Sequence, residues 1–215
     1  MIEFVIAYDE EDVKLGSYFR KCRDQLVSTI EGIPDFDYST NEIQAKQCNR
    51  AYLDIALQRL DDLPFIITAY MHGNFKQLVA NGGRFVDADE DNTFFSNTLF
   101  YTNSCSSGKL LGPSLISDAC RTFIGFDQEV YSLLGDPYED ISVSCDNHGI
   151  SAFLTDDVTA YSAYQSMKDN YTQEIKKLND AKDVLRAGIL ISAREALVFH
   201  GDQELKKADL QTAAE

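Results

Sequence analysis

Residues 65–75 read FIITAYMHGNF, and the fold turns on how this stretch is understood. Pro64 opens a continuous apolar run, Phe65 to Tyr70, of the kind found in strands buried on both faces of a sheet. The run ends at His72-Gly73, where a histidine has little structural reason to sit. All three histidines of the chain, His72, His148 and His200, precede a glycine, so the dipeptide alone assigns no role. The surrounding residues have to do so.

Upstream, FVIAY (Phe4 to Tyr8) is a second short apolar run. After DEEDV, Leu15, Phe19, Cys22, Leu26 and Ile30 recur at helical steps, which predicts a strand, an acidic helix start and an amphipathic helix. Gly32 and Pro34 stop that helix, and Ala45, Cys48, Tyr52, Ile55 and Leu60 predict another. Downstream, the polar stretch Asn74 to Asn97 reads as loop, with the acidic run DADEDN (Asp87 to Asn92) solvated. TLFYTNSC (Thr98 to Cys105) predicts a strand, GKLLGPSLISDAC a helix and TFIGF another strand. DNHG reads as a hairpin turn between ISVSC and ISAFL. Val158, Tyr161, Tyr164, Met167, Tyr171, Ile175 and Leu178 trace a buried helix face, and ALVFHGD (Ala196 to Asp202) a late strand. Strands alternating with helices predict an α/β fold with a mostly parallel central sheet covered by helices on both faces. The expected organisation is one domain over residues 1–215, without internal repeats, low-complexity segments or linkers.

Composition narrows the function. The 19 lysine and arginine residues face 35 aspartate and glutamate residues, a net charge of −16, which opposes general affinity for nucleic acid or an anionic membrane and favours a basic partner or substrate. Acidic surfaces also simply keep proteins soluble. No apolar run approaches a membrane span and the amino terminus lacks a signal-peptide pattern, so a cytoplasmic location is expected. Five cysteines without tight spacing predict free thiols rather than a disulfide framework. Cys22 and Cys48 fall on apolar faces and read as core. Cys145 with His148 has the gap of a metal pair but no second pair, and SSGKL lacks the first glycine and final Ser/Thr of a phosphate loop, so no metal or cofactor is expected.

Chemistry gathers where two strands end. His72 closes one and Cys105 the next, and in a parallel α/β sheet such ends share the edge at which ligands bind. A free thiol is mostly unreactive at neutral pH, whereas an adjacent imidazole can take its proton or stabilise its thiolate. Gly73 allows close backbone approach, and the turn SCSSG offers amide N–H groups to a developing oxyanion.

An apolar strand ending in His-Gly, followed by one ending in Asn-Ser-Cys-Ser-Ser-Gly, resembles the caspase-like cysteine peptidases, and in detail the CHAT branch related to metacaspases and separases. GPSLISDACRTFIGF resembles the family's helix and next strand, and SAREALVFHGD its closing segment, so the likeness runs from Phe4 to Asp202. It implies a caspase-like three-layer sandwich in which Cys105 attacks a peptide carbonyl of a protein substrate. It further implies that His72 acts as acid and base, with the amides of Gly73 and Cys105 holding the oxyanion. Metacaspases carry an aspartate two residues before the nucleophile for a basic P1 side chain, where this chain has Asn103. Cleavage after arginine or lysine is still expected, with Asp9 or Asp127 supplying the carboxylate beside Asn103; Asp9 also sits where a helix cap would. Control by a regulatory partner protein or by self-processing between Asn74 and Asn97 is expected. Two other classes stay open: a catalytically silent interaction module of the same fold, and a flavodoxin-like binder of small molecules or phosphate, which the missing glycine-rich loop disfavours.

Overall fold

A computed structural model describes residues 1–60, 63–81 and 83–212; the last three residues of the expected domain fall outside it. Strands β1 (Ile2–Tyr8), β2 (Tyr38–Gln44), β3 (Phe65–Tyr70), β7 (Leu99–Thr102), β8 (Thr122–Phe126) and β9 (Leu197–Gly201) form one sheet in the order β2-β1-β3-β7-β8-β9. Every pair in it is parallel except the antiparallel β8–β9 edge. Strands β4 (His72–Gly73), β5 (Gln77–Ala80) and β6 (Gly83–Asp87) form a small antiparallel sheet beside it.

The central strands are apolar on both sides because both sides are covered. Along β1, Phe4, Ile6 and Tyr8 pack with α1 (Gly16–Glu31), α4 (Tyr138–Thr155), α5 (Ala160–Asp180) and α6 (Val184–Ala196). The alternate residues Val5 and Ala7 pack on the opposite face with α2 (Arg50–Gln58), α3 (Leu111–Ser117) and the small sheet. The result is the three-layer α/β sandwich, with a mostly parallel sheet and helices on both faces, that the alternation of strands and helices predicts.

Three local expectations need correction. DNHG is not a hairpin turn: residues 138–155 form the continuous helix α4. Its polar residues Ser142, Asp146 and Asn147 are buried and bonded to other elements, so the helix lacks an apolar stripe and its β-branched residues mislead. Gly149 sits inside it because a Cβ would lie only 3.2 Å from both Met167 Sδ and Tyr101 Oη. The stretch 74–97 is not a plain loop but holds β5 and β6. Within DADEDN, Asp87 is buried and accepts hydrogen bonds from Gln77 Nε2 at 2.6 Å and Arg84 at 3.2 Å, and Asn92 donates to the Asp87 carbonyl. The helix expected from Ala45 starts only at Arg50, as α2; Ala45–Gln47 is a single 3-10 turn ahead of it, and the α2 N-cap Asn49 accepts the Tyr52 N–H. Strand β2 precedes it unannounced, since only Ile43 of YSTNEIQ is buried at that sheet edge.

Candidate active site

The register of β3 and β7 brings the two chemical residues level. Ala69 pairs with Thr102 at the end of the ladder, and His72 and Cys105 each follow three residues later. Side chains tie the two strand ends: Thr102 Oγ1 donates to the Ala69 carbonyl at 2.7 Å, and Ser104 Oγ donates to the Met71 carbonyl at 2.7 Å. Both bonds are buried and contribute about 1 kcal/mol each. Gly73 completes the fit, because a Cβ there would lie 2.7 Å from Ser104 Cβ and 3.0 Å from the Cys105 carbonyl oxygen. His72 does not end β3; after Met71 it starts β4, pairing with Val79.

His72 and Cys105 line one small cavity of about 20 Å³ together with Leu15, Tyr18, Asn103, Val130 and Ser132. The imidazole packs edge-on against Phe19, with ring centroids 5.8 Å apart, and its Nε2 lies 3.1 Å from Asp12 Oδ2. Asp12 comes from the turn before α1, where its Oδ1 accepts the N–H groups of Leu15 at 2.7 Å and Lys14 at 2.9 Å. Partial burial would raise the Asp12 carboxyl, but those amides and His72 outweigh it and hold it below the ordinary carboxylate range. DEEDV lies in the turn before α1, whose first turn carries no acidic residue; that its last aspartate reaches a histidine sixty residues away was not visible in the spacing.

Cys105 is half-buried, and burial pushes its thiol upward, opposed by the N–H of Val130 and its own N–H. Its Sγ accepts the Val130 N–H at 3.4 Å and lies 3.5 Å from the Val130 carbonyl oxygen. Residues 129–134 of this covering segment have no regular secondary structure. Of the SCSSG turn, the Ser106 and Gly108 amides donate to the carbonyls of Gln128 and Phe126, which removes them as oxyanion donors. A larger cavity of about 520 Å³ adjoins this turn, lined by Gly73, Asn74, Phe75, Ser106, Lys109, Leu110 and Glu129.

Asn103 is buried in the wall of the small cavity. Asp9 and Asp127 follow β1 and β8 at the same sheet edge, but neither lines that cavity. Asp9 is buried and binds Asn81 through its backbone N–H at 2.8 Å and its Nδ2 at 3.3 Å, so it anchors the end of β5 and caps no helix. The Asp127 N–H donates to the Ala196 carbonyl at 2.8 Å. His148 pairs with Ser166 at 2.9 Å, and His200 Nε2 with the Gly108 carbonyl at 2.8 Å. Among the described residues no cluster of three or more metal-ligating side chains occurs, and no helix is long and apolar enough to cross a membrane.

No family model matches the sequence. No curated protein matches it either. Among solved structures, the chain is similar to an inactive zymogen C11 protease from Parabacteroides distasonis, with a TM-score of 0.47 and 12% identity over 80% of this chain and 59% of that one. The chain thus spans less than two thirds of that protein, and the chemistry of the site rests on its own residues.

Proposed function

We propose that the chain is a cysteine endopeptidase in which Cys105 is the nucleophile, His72 the acid and base, and Asp12 the residue that orients His72. The observation that carries this reading is the single cavity shared by the thiol and an imidazole already engaged by a carboxylate. With Nε2–H donating to Asp12, Nδ1 is the nitrogen left to exchange a proton with the thiol. The thiolate attacks the peptide carbonyl, and the oxyanion takes the Gly73 and Cys105 amides. The His72 proton passes to the leaving amine as the C–N bond breaks. Water, deprotonated by His72, then hydrolyses the thioester and restores the thiol. The larger cavity beyond Gly73 and Ser106 accommodates the leaving-group side of a peptide.

The finer features belong to the same proposal: membership of the CHAT branch, a cytoplasmic location, a protein substrate cleaved after a basic residue and control by a partner protein. The net charge of −16 favours approach of basic segments. One observation favours the second reading, a silent interaction module: the thiol is held by the Val130 backbone and the space between it and His72 is small. Iodoacetamide separates the two. Selective modification of Cys105 that is lost in His72→Ala supports the enzyme, and reactivity indifferent to His72 supports the module.

A further inference from the structure

The two cavities that adjoin the Cys105 turn share no lining residue. The one that holds the thiol and His72 measures about 20 Å³, whereas the one that opens at the next residue of each segment, Gly73 and Ser106, measures about 520 Å³. The second has the size of a ligand pocket, which runs from roughly 300 to 1,000 Å³. On the peptidase reading it takes the leaving-group side of the substrate, and its walls determine which side chain fits there.

The apolar walls are Phe75 and Leu110, which are 54% and 43% exposed. A large apolar side chain left in water singly is ordinary, but two that line one cavity beside the thiol offer surface for an occupant to cover. Both are fixed in advance. The Phe75 carbonyl accepts the Leu110 and Leu111 N–H groups at 3.1 Å each, which ties the turn after β4 to the start of α3. Asn74 closes that turn: its N–H donates to the Gln77 carbonyl at 2.9 Å, and its Oδ1 accepts the N–H groups of Lys76 at 2.9 Å and Gln77 at 3.0 Å. An occupant therefore has little backbone to order on binding. Lys109 and Glu129 line the same cavity with opposite charges, so its lining favours neither sign of side chain and selection falls to the apolar walls.

We propose that the residue following the cleaved bond carries a large apolar side chain, of the leucine or phenylalanine kind, held between Phe75 and Leu110. The inference rests on the peptidase reading and adds to it a specificity on the leaving side that is independent of the residue on the acyl side. The C–N bond that breaks is the one to the nitrogen of this apolar residue, which departs as the free amine with the His72 proton. Covering such a side chain, compared with a glycine at the same place, raises kcat/KM by about tenfold or more.

The test is digestion of a peptide library of random sequence by the natural chain, with the new amino termini read by mass spectrometry. A pair of quenched fluorescent peptides follows, alike except for leucine or glycine after the cleaved bond. Leucine, methionine and phenylalanine are enriched at the new termini, and the leucine peptide is hydrolysed about tenfold faster or more. Phe75→Ala and Leu110→Ala each lower that ratio about threefold or more and together bring it to within about twofold of one, while Phe75→Leu, which keeps an apolar wall, retains it. New termini without an apolar preference, a preference confined to the acyl side, or a ratio untouched by both alanine variants overturns the proposal. The library and the peptide pair use the natural chain alone, so they decide the matter even where a variant does not fold. Cleavage without preference at this position defeats the inference and leaves the peptidase reading intact. Absence of cleavage together with Cys105 labelling indifferent to His72 removes that reading and the inference with it.

Discussion

His72 Nε2 sits 3.1 Å from Asp12 Oδ2, joining the turn before α1 to the first residue of β4. Asp12 is held rigidly by two backbone amides, so it fixes both the plane of the imidazole and the nitrogen that carries the proton. Removing the partner that orients a histidine costs roughly ten- to hundredfold in activity where that histidine binds a metal. Asp12→Asn is therefore expected to lower kcat for peptide hydrolysis by that order with little change in KM. An equal rise in KM with unchanged kcat would place Asp12 in substrate binding instead.

Gly73 lies where a methyl group would press on Ser104 Cβ at 2.7 Å and on the Cys105 carbonyl at 3.0 Å. Neither neighbour yields freely, since Ser104 is pinned to Met71. Gly73→Ala is expected to cost about 1–3 kcal/mol of stability through overpacking and to move Cys105 away from His72. Thermal unfolding and Cys105 alkylation rates check both effects; a variant as stable and as reactive as the natural chain would show that the two strand ends are not tightly apposed.

Asp146 sets a pH dependence. Its folded carboxyl is raised by burial from the ordinary 3.8 to about 6, so the fold binds this proton more tightly than the unfolded chain does. The associated stability is fully present below about pH 4 and is lost as pH rises through about 6, on the order of 2–3 kcal/mol. The groups facing it, Tyr18 and Cys22 from α1, Tyr70 from β3, Tyr101 from β7, Cys145 on α4 and Tyr171 from α5, are all raised by burial and stay neutral in that window. Asp12, held low, acts oppositely, favouring the fold above its unfolded value and releasing that stability on acidification. Denaturant unfolding of the natural chain and Asp146→Asn between pH 4 and 7 isolates the first slope; a difference that stays flat across that range would contradict it.

The central strands were legible because burial on both faces leaves an unbroken apolar run, as in FVIAY, FIITAY and TFIGF. Their order along the chain placed His72 and Cys105 at one sheet edge, and the Ala69–Thr102 register makes that level. What stayed hidden depends on contacts between distant segments. Helix α4 buries its polar residues, so its sequence carries neither a helical stripe nor a strand alternation. Asp12 is engaged by a residue sixty positions away and Asp146 by residues of three other elements, and no local pattern marks either. Asp9 and Asp127 were singled out for following strands, which fixes the edge but not which side chains turn into the cavity.

The most direct test of the account is hydrolysis of a fluorogenic lysyl or arginyl peptide by the natural chain, by Cys105→Ala, by His72→Ala and by the double variant. The proposed pair acts as one unit, so each single change is expected to abolish measurable turnover, about a thousandfold or more, and the double to add nothing further. Undiminished turnover in Cys105→Ala, or loss in His148→Ala with full activity in His72→Ala, would contradict it.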